Sequence, residues 1–306
     1  MTDQVVVALD VGGTGMKCAL VGIDGRVRHV ERHATGAERG APAVVATILD
    51  VADGLAGKAY ADGLRPVACG VAVPGVIDEA AGVAVWSGNI GFRDVPLRDL
   101  VAARLGVPTA LGHDVRVGAL AEARLGAARS SRHVLFVAIG TGIAASHVVD
   151  GAAFAGAHGA AGEFGHILVR PGGPRCGCGR PGCLETVASA AAVGRRYTEL
   201  TGNPADAAEV VARMRAGEAA AGQIWQEAVE ALADGLVTAQ SLLDVDTIVL
   251  GGGLARAGAD LFDPLHAALR ERMTFHREPR LVPAALGDEA GCLGAALIAL
   301  DSLESS

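Results

Sequence analysis

Val5-Val6-Val7-Ala8-Leu9-Asp10-Val11-Gly12-Gly13-Thr14 is a β-branched apolar run that ends in a carboxylate and then two glycines. Such a run reads as a buried strand feeding a tight turn. Backbone without Cβ atoms lets N–H groups approach a phosphate, and Asp10 at the strand end is placed to hold Mg²⁺ through water. A Gly-Gly turn between strands also serves as plain turn chemistry, so this stretch alone leaves both readings open. Downstream, Cys18 to Gly22 resumes the apolar run, Asp24-Gly25 is a hairpin signal, and Arg26 to Val30 alternates as the return strand.

The opening pattern recurs. Val134 to Ile139 runs into Gly140-Thr141-Gly142, and a third strand, Asp246 to Leu250, ends in Gly251-Gly252-Gly253. Two such strand-turn units imply two related α/β halves facing a common cleft. Helices are expected over Ala43–Leu55, Leu97–Leu105, Ala188–Thr201, Ala207–Arg215 and Ala290–Leu303, with further strands at Val67–Val73 and Val107–Leu111. From Ile224 the apolar positions Ala228, Leu232, Leu236, Ala239 and Leu243 step by three or four, one face of a long helix. A lobe of residues 1–114, completed by a returning helix at 290–306, and a second lobe of 115–289 follow from this order. Gly-Lys-Ser/Thr after a glycine loop is absent and no Gly-x-Gly-x-x-Gly opens a Rossmann unit, which disfavours the P-loop and Rossmann nucleotide folds.

Composition bounds the function. The 306 residues are 51% hydrophobic and 20% charged with mean hydropathy +0.37, which excludes disorder and indicates much buried surface. Thirty-four acidic against 26 basic residues give a net charge of −8, so no field attracts nucleic acid or anionic membrane. The most apolar run, Val134 to Val149, is broken by Gly140-Thr141-Gly142 and Ser146-His147, too early for a membrane span. Met1-Thr2-Asp3-Gln4 opens no secretory signal, so the cytoplasm is the expected location.

Three of the six cysteines, Cys176, Cys178 and Cys183, fall close together after His166. Three thiolates and one imidazole are the number and softness of ligand that tetrahedral Zn²⁺ prefers, and four protein ligands leave no open position for a catalytic water, so the zinc reads as structural. Cys18, Cys69 and Cys292 sit in apolar runs and read as core. Glu163 precedes the cluster and Glu185 follows it, so a zinc loop would hold both carboxylates near one place, as recognition of vicinal sugar hydroxyls requires; solvated loop charges are the alternative.

Asp10-Val-Gly-Gly-Thr14, Gly70-Val-Ala-Val-Pro-Gly75, Ile139-Gly-Thr-Gly142, Glu163-Phe-Gly-His166, Cys176-Gly-Cys-Gly-Arg-Pro-Gly-Cys-Leu-Glu185 and Leu250-Gly-Gly-Gly253 stand in the order seen in the ROK family (repressors, open reading frames, kinases). The resemblance spans nearly the whole chain. It implies an α/β, actin-like ATPase (ribonuclease H-like) fold whose two lobes bring ATP with Mg²⁺ and a sugar together in the interdomain cleft. By that resemblance Gly12, Gly13, Thr14, Gly140, Thr141 and Gly142 cradle phosphates beside Asp10, and Gly252 and Gly253 face the adenosine. Asp114 matches the base that takes the proton from a sugar 6-hydroxyl. Gly75, Asn89, His113, Glu163, His166 and Glu185 match the sugar side, with His166 also a zinc ligand. Family members are commonly dimers or tetramers.

This chain departs from the family pattern where Asn-Asp-Ala-Asn usually surrounds the base. Here the run is His113-Asp114-Val115-Arg116, and an imidazole replaces an amide that touches sugar hydroxyls. With Asp114 and the zinc and glutamate motifs intact, the resemblance implies a glucokinase-like hexose kinase, and the His113 departure keeps an N-acetylhexosamine kinase or fructokinase as alternatives. A non-catalytic sugar sensor or transcriptional regulator is the reading from another class; such repressors carry an N-terminal helix-turn-helix, whereas the first phosphate motif starts here at residue 10.

Overall fold

The computed structural model describes residues 3–304; Met1 and Thr2 of the expected leaderless start, and 305–306 of the expected C-terminal helix, lie outside the described residues. Contacts divide the chain into two units. The first comprises residues up to Ala121, Ala153–Ala161 and the chain from Asp288; the second comprises Glu122–Ala152 and Gly162–Gly287. The division lies beyond Asp114, inside a helix, and assigns 153–161 to the first unit, where the sequence alone placed it in the second lobe.

In the first unit β1 (Gln4–Val11), β2 (Gly15–Gly22), β3 (Val27–Ala34), β4 (Arg65–Val73) and, further on, β8 (Thr109–His113) form one sheet in the order β3-β2-β1-β4-β8. The β1/β2 and β2/β3 pairs are antiparallel hairpin neighbours, while β1, β4 and β8 run parallel. Parallel neighbours need crossover connections, which α1 (Ala41–Ala61) and α2 (Leu97–Leu105) supply. Between β4 and α2, short strands β5 (Val76–Asp78), β6 (Val83–Trp86) and β7 (Arg93–Val95) make a separate three-stranded sheet. The α1 positions Val44, Ile48, Val51, Ala52 and Leu55 recur every three or four residues and bury against Val5, Val7 and Leu9 of β1. Cys18 and Cys69 lie in this core, as expected of buried thiols.

Helix α3 (Asp114–Arg124) follows β8 directly. The second unit then repeats the first topology: β9 (His133–Ile139), β10 (Ile143–Val149), β11 (Ala152–Ala153), and later β12 (Thr247–Gly251) and β13 (Arg280–Pro283) form a sheet in the order β11-β10-β9-β12-β13. Between β11 and β12 come α4 (Glu185–Ala188), α5 (Ala190–Thr201), α6 (Ala207–Arg215) and α7 (Ala219–Leu243); α8 (Ala259–Arg272) separates β12 from β13, and α9 (Ala290–Glu304) closes the first unit. The expected single helix over Ala188–Thr201 is broken at Ser189. That residue is extended, and its hydroxyl accepts from Ala192 N–H at 3.1 Å, an N-cap that starts α5 afresh. Ile224, Leu232 and Leu236 of α7 bury against Leu135 and Val137 of β9. Among the described residues no helix is long and apolar enough to cross a membrane.

Candidate active site

The C-terminal ends of the parallel strands β1, β4 and β8 lie side by side, and everything chemical in the first unit gathers there. Asp10 pairs in register with Ala72, Ala72 with Gly112, and Val73 with His113. Asp10 at the end of β1, Gly75 just after β4 and Asp114 just after β8 are thereby carried to one sheet edge, where open α/β sheets bind ligands. The turn after β1 is closed by Gly12 N–H donating to Gly15 O at 2.9 Å and by the Thr35 hydroxyl donating to Gly12 O at 2.6 Å. Asn89 stands against this turn: a Cβ on Gly13 would lie 3.3 Å from Asn89 Cβ. Thr14 at the tip is exposed.

Burial pushes the Asp10 carboxyl up to about 6, and the Asp114 carboxylate adds to the rise while Lys17 opposes it. A buried carboxylate whose proton affinity a neighbouring carboxylate raises is a natural ligand for a divalent cation. The first turn of α9 seals the site from behind, because a Cβ on Gly291 would lie 2.1 Å from Asp10 Oδ2. Asp114, the first residue of α3, accepts from Val115 N–H at 2.7 Å, and His113 Nδ1 lies 3.4 Å from Asp114 Oδ1. His113 N–H donates to Glu79 Oε1 at 3.2 Å, so this histidine is held by its backbone as well.

In the second unit the turn Gly140-Thr141-Gly142 joins β9 to β10, with Gly140 N–H donating to Gly142 O at 2.9 Å. Gly252, at φ +83°, follows β12 and presses on the β9 backbone: a Cβ there would meet Ile139 O at 2.4 Å. Gly253 has open space beside it and lines a cavity of about 660 Å³ with Thr141, Arg195, Trp225, Leu254 and Arg256. Its lining mixes apolar side chains with a few polar ones, and the volume is that of a small-molecule pocket.

The zinc ligands expected from sequence converge. The donor atoms of His166, Cys176, Cys178 and Cys183 all lie within 4.8 Å of one another. Cys176 Sγ is 3.5 Å from His166 Nδ1 and Cys178 Sγ is 3.6 Å from Cys183 Sγ. A tetrahedral ion with Zn–S of ~2.3 Å needs sulfurs about 3.8 Å apart, so the donor set fits zinc. A hydrogen bond from Arg180 N–H, helped by the neighbouring thiols, pulls Cys178 down to about 6, into the range where it is a thiolate ligand. His166 Nε2, on the side away from the thiols, lies 3.6 Å from Glu163 Oε2. Glu185 begins α4, and its Oε2 accepts from Ile143 N–H at 3.0 Å, against the Gly142 turn.

Sequence reasoning missed Lys17, Glu79 and Gly291. Lys17 was within reach, since it faces Asp10 across the β1/β2 hairpin that turns at Gly12-Gly13. Glu79 and Gly291 carry no local signal, because their partners lie far along the chain.

This duplicated sheet, with glycine turns at matching strand ends and a Cys/His cluster beside one of them, is the actin-like ATPase arrangement in a sugar-kinase-like dress. A model of the ROK family matches residues 6–302, and the chain belongs to that family. A glucokinase of Thermotoga maritima is 33% identical, with 96% of each chain covered. An N-acetylmannosamine kinase of Citrobacter koseri is 32% identical over 95% of this chain and 97% of its own. Among solved structures, a ROK hexokinase from Thermus thermophilus is 34% identical with a TM-score of 0.88, covering 99% of this chain and 100% of the other. A ROK glucokinase from Streptomyces griseus, solved in complex with glucose and AMPPNP, is 28% identical with a TM-score of 0.81, covering 97% and 99%.

Proposed function

We propose that this chain is an ATP-dependent hexose kinase, glucokinase-like, that transfers the γ-phosphoryl group of ATP to a sugar hydroxyl. The observation that carries the reading is the shared edge of β1, β4 and β8, which sets Asp10 and Asp114 close enough to raise the proton affinity of Asp10. Phosphoryl transfer asks a protein mainly for positioning and charge neutralisation, and one carboxylate to orient the hydroxyl.

Asp114 accepts the proton of the sugar 6-hydroxyl as its oxygen attacks the γ-phosphorus and ADP departs. Asp10 would hold Mg²⁺, which would supply charge neutralisation for the phosphates. Gly12, Gly13 and Thr14 in one unit and Gly140, Thr141 and Gly142 in the other offer backbone N–H groups to phosphates, and Gly252 and Gly253 border the nucleoside cavity. Gly75, Asn89, His113, Glu163, His166 and Glu185 form the sugar side. His166 Nδ1, Cys176, Cys178 and Cys183 would hold a structural Zn²⁺ that fixes the loop from Glu163 to Glu185. A homodimeric or homotetrameric enzyme in the cytoplasm completes the proposal, resting on the family likeness.

The test is ADP release from Mg-ATP by zinc-loaded protein with glucose, mannose, fructose, N-acetylglucosamine and N-acetylmannosamine, one at a time. Stimulation by one sugar establishes the kinase and names its substrate. Silence across the panel, with the protein folded, assigns it instead to non-catalytic sugar sensing.

A further inference from the structure

Among the described residues only two charged side chains are fully buried, Arg116 and Glu122, and both belong to α3. This is the helix that begins with Asp114 and carries the chain from the first unit to the second between Ala121 and Glu122. The chain passes between the units three more times, after Ala152, Ala161 and Gly287. Each buried charge of α3 bonds the backbone of one of these other crossings.

Arg116 Nη1 donates to Gly159 O at 2.9 Å, within the 153–161 excursion, while its Nε donates to Glu79 Oε1 at 2.9 Å. Glu79 Oε1 accepts in addition from His113 N–H, beside the candidate base. Gly159 is itself pressed on β5 of the same unit, since a Cβ there would lie 2.6 Å from Ile77 O. At the other end of the helix, Glu122 Oε2 accepts from Ala127 N–H at 2.8 Å and from Ala285 N–H at 3.1 Å, and Oε1 accepts from Leu286 N–H at 2.8 Å, just ahead of the last crossing.

A buried charge is costly unless it is paired and hydrogen-bonded, and removing its partners is costlier still, so such groups hold their contacts in fixed directions. The carbonyl of Gly159 and the N–H groups of Ala285 and Leu286 are therefore fixed points on otherwise irregular backbone. Two residues after the 153–161 excursion comes Glu163, so whatever fixes Gly159 also fixes how the backbone enters the Glu163–His166 turn.

We propose that Arg116 is a positioning residue for the sugar: through Glu79 and Gly159 it pins the 153–161 excursion to the first turn of α3 and so sets the backbone that leads into Glu163. Glu122 does the corresponding work for the backbone at 284–286. The kinetic arm of the test rests on the kinase reading; the exchange arm does not.

The experiment is amide hydrogen exchange and steady-state kinetics on the full-length protein and the variants Arg116→Asn, Arg116→Lys, Glu79→Ala and Glu122→Gln. Arg116→Asn and Glu79→Ala should speed exchange at 155–161 by about tenfold or more and leave 284–287 unchanged, with Glu122→Gln doing the reverse. Arg116→Asn should raise KM for the sugar about tenfold, leave KM for ATP and kcat within about threefold, and be partly rescued in Arg116→Lys. Unchanged exchange at 155–161 in both Arg116→Asn and Glu79→Ala overturns the pin. Equal rises in the two KM values, or a fall in kcat alone, overturn the positioning role. Should Arg116→Asn fail to fold, Glu79→Ala, altered at a partly exposed site, decides in its place. If no sugar supports turnover in the unaltered protein, the kinase reading fails while the exchange result still stands or falls on its own.

Discussion

The two units repeat one hairpin and load it differently. The β1/β2 ladder closes on Val11 opposite Met16, and the β9/β10 ladder closes on Ile139 opposite Ile143. One pair further in, the first unit sets Asp10 opposite Lys17, where the second sets Ala138 opposite Ala144. The parallel neighbours correspond as well, Ala72 beside Asp10 and Gly251 beside Ala138. One backbone turn thus supplies N–H groups in both units, but a single residue before the glycines makes the first ionic and the second apolar. The second spends its space differently: Gly252 closes on Ile139 and Gly253 opens into the cavity.

Removing the charge breaks that contrast most severely. Asp10→Asn should lower Mg-ATP turnover by about 10²–10⁴-fold, since a metal clamp supplies several kcal/mol of charge stabilisation. The same change should stabilise the ligand-free fold at pH 8. The folded carboxyl titrates near 6, above its ordinary 3.8, so its contribution is fully favourable below pH 3.8 and is lost as pH rises through 6. Urea unfolding should give the variant an advantage on the order of 2–3 kcal/mol at pH 8 and almost none near pH 4. An equal gap at both pH values would refute the ionic reading of the first turn.

The next effect lies in the second unit. Gly252→Ala should cost about 2–3 kcal/mol, from a positive φ and a collision with Ile139, while Gly253→Ala, at ordinary helical φ with space beside it, should stay within about 0.5 kcal/mol by denaturant unfolding. Similar losses at both positions would mean that the turn does not rest on β9 as described. Metal analysis should find one zinc per chain, and Cys178→Ser should weaken zinc binding about tenfold or more and loosen the loop between Glu163 and Glu185. Zinc-free protein with full activity contradicts that. The mildest change, His113→Asn, should leave folding intact and shift the preference between sugars by about tenfold in kcat/KM.

How much of this was written locally explains what the sequence could tell. The strand-turn units and the Cys/His cluster are runs of a few neighbouring residues, so their chemistry is visible in one glance along the chain. The boundaries of α2 and α6 likewise match the expectation, because their apolar spacing and flanking residues are local. What stayed hidden is long-range. The order of elements puts the division at Asp114, but nothing local shows that it falls inside α3, between Ala121 and Glu122, nor that Arg116 reaches Gly159 and Glu122 reaches Leu286. The three-stranded sheet of β5, β6 and β7 is too short in each strand to show a period, and α8 holds Pro264 inside, which reads as a breaker.

Sugar-dependent ADP release by Asp114→Ala beside the unaltered protein, with the sugar that the panel selects, tests the account most directly. The account predicts a loss in kcat of about 10²–10⁴-fold with the fold and the zinc retained, the share a positioned base contributes. A loss of less than about tenfold would contradict it and remove Asp114 from the proton transfer.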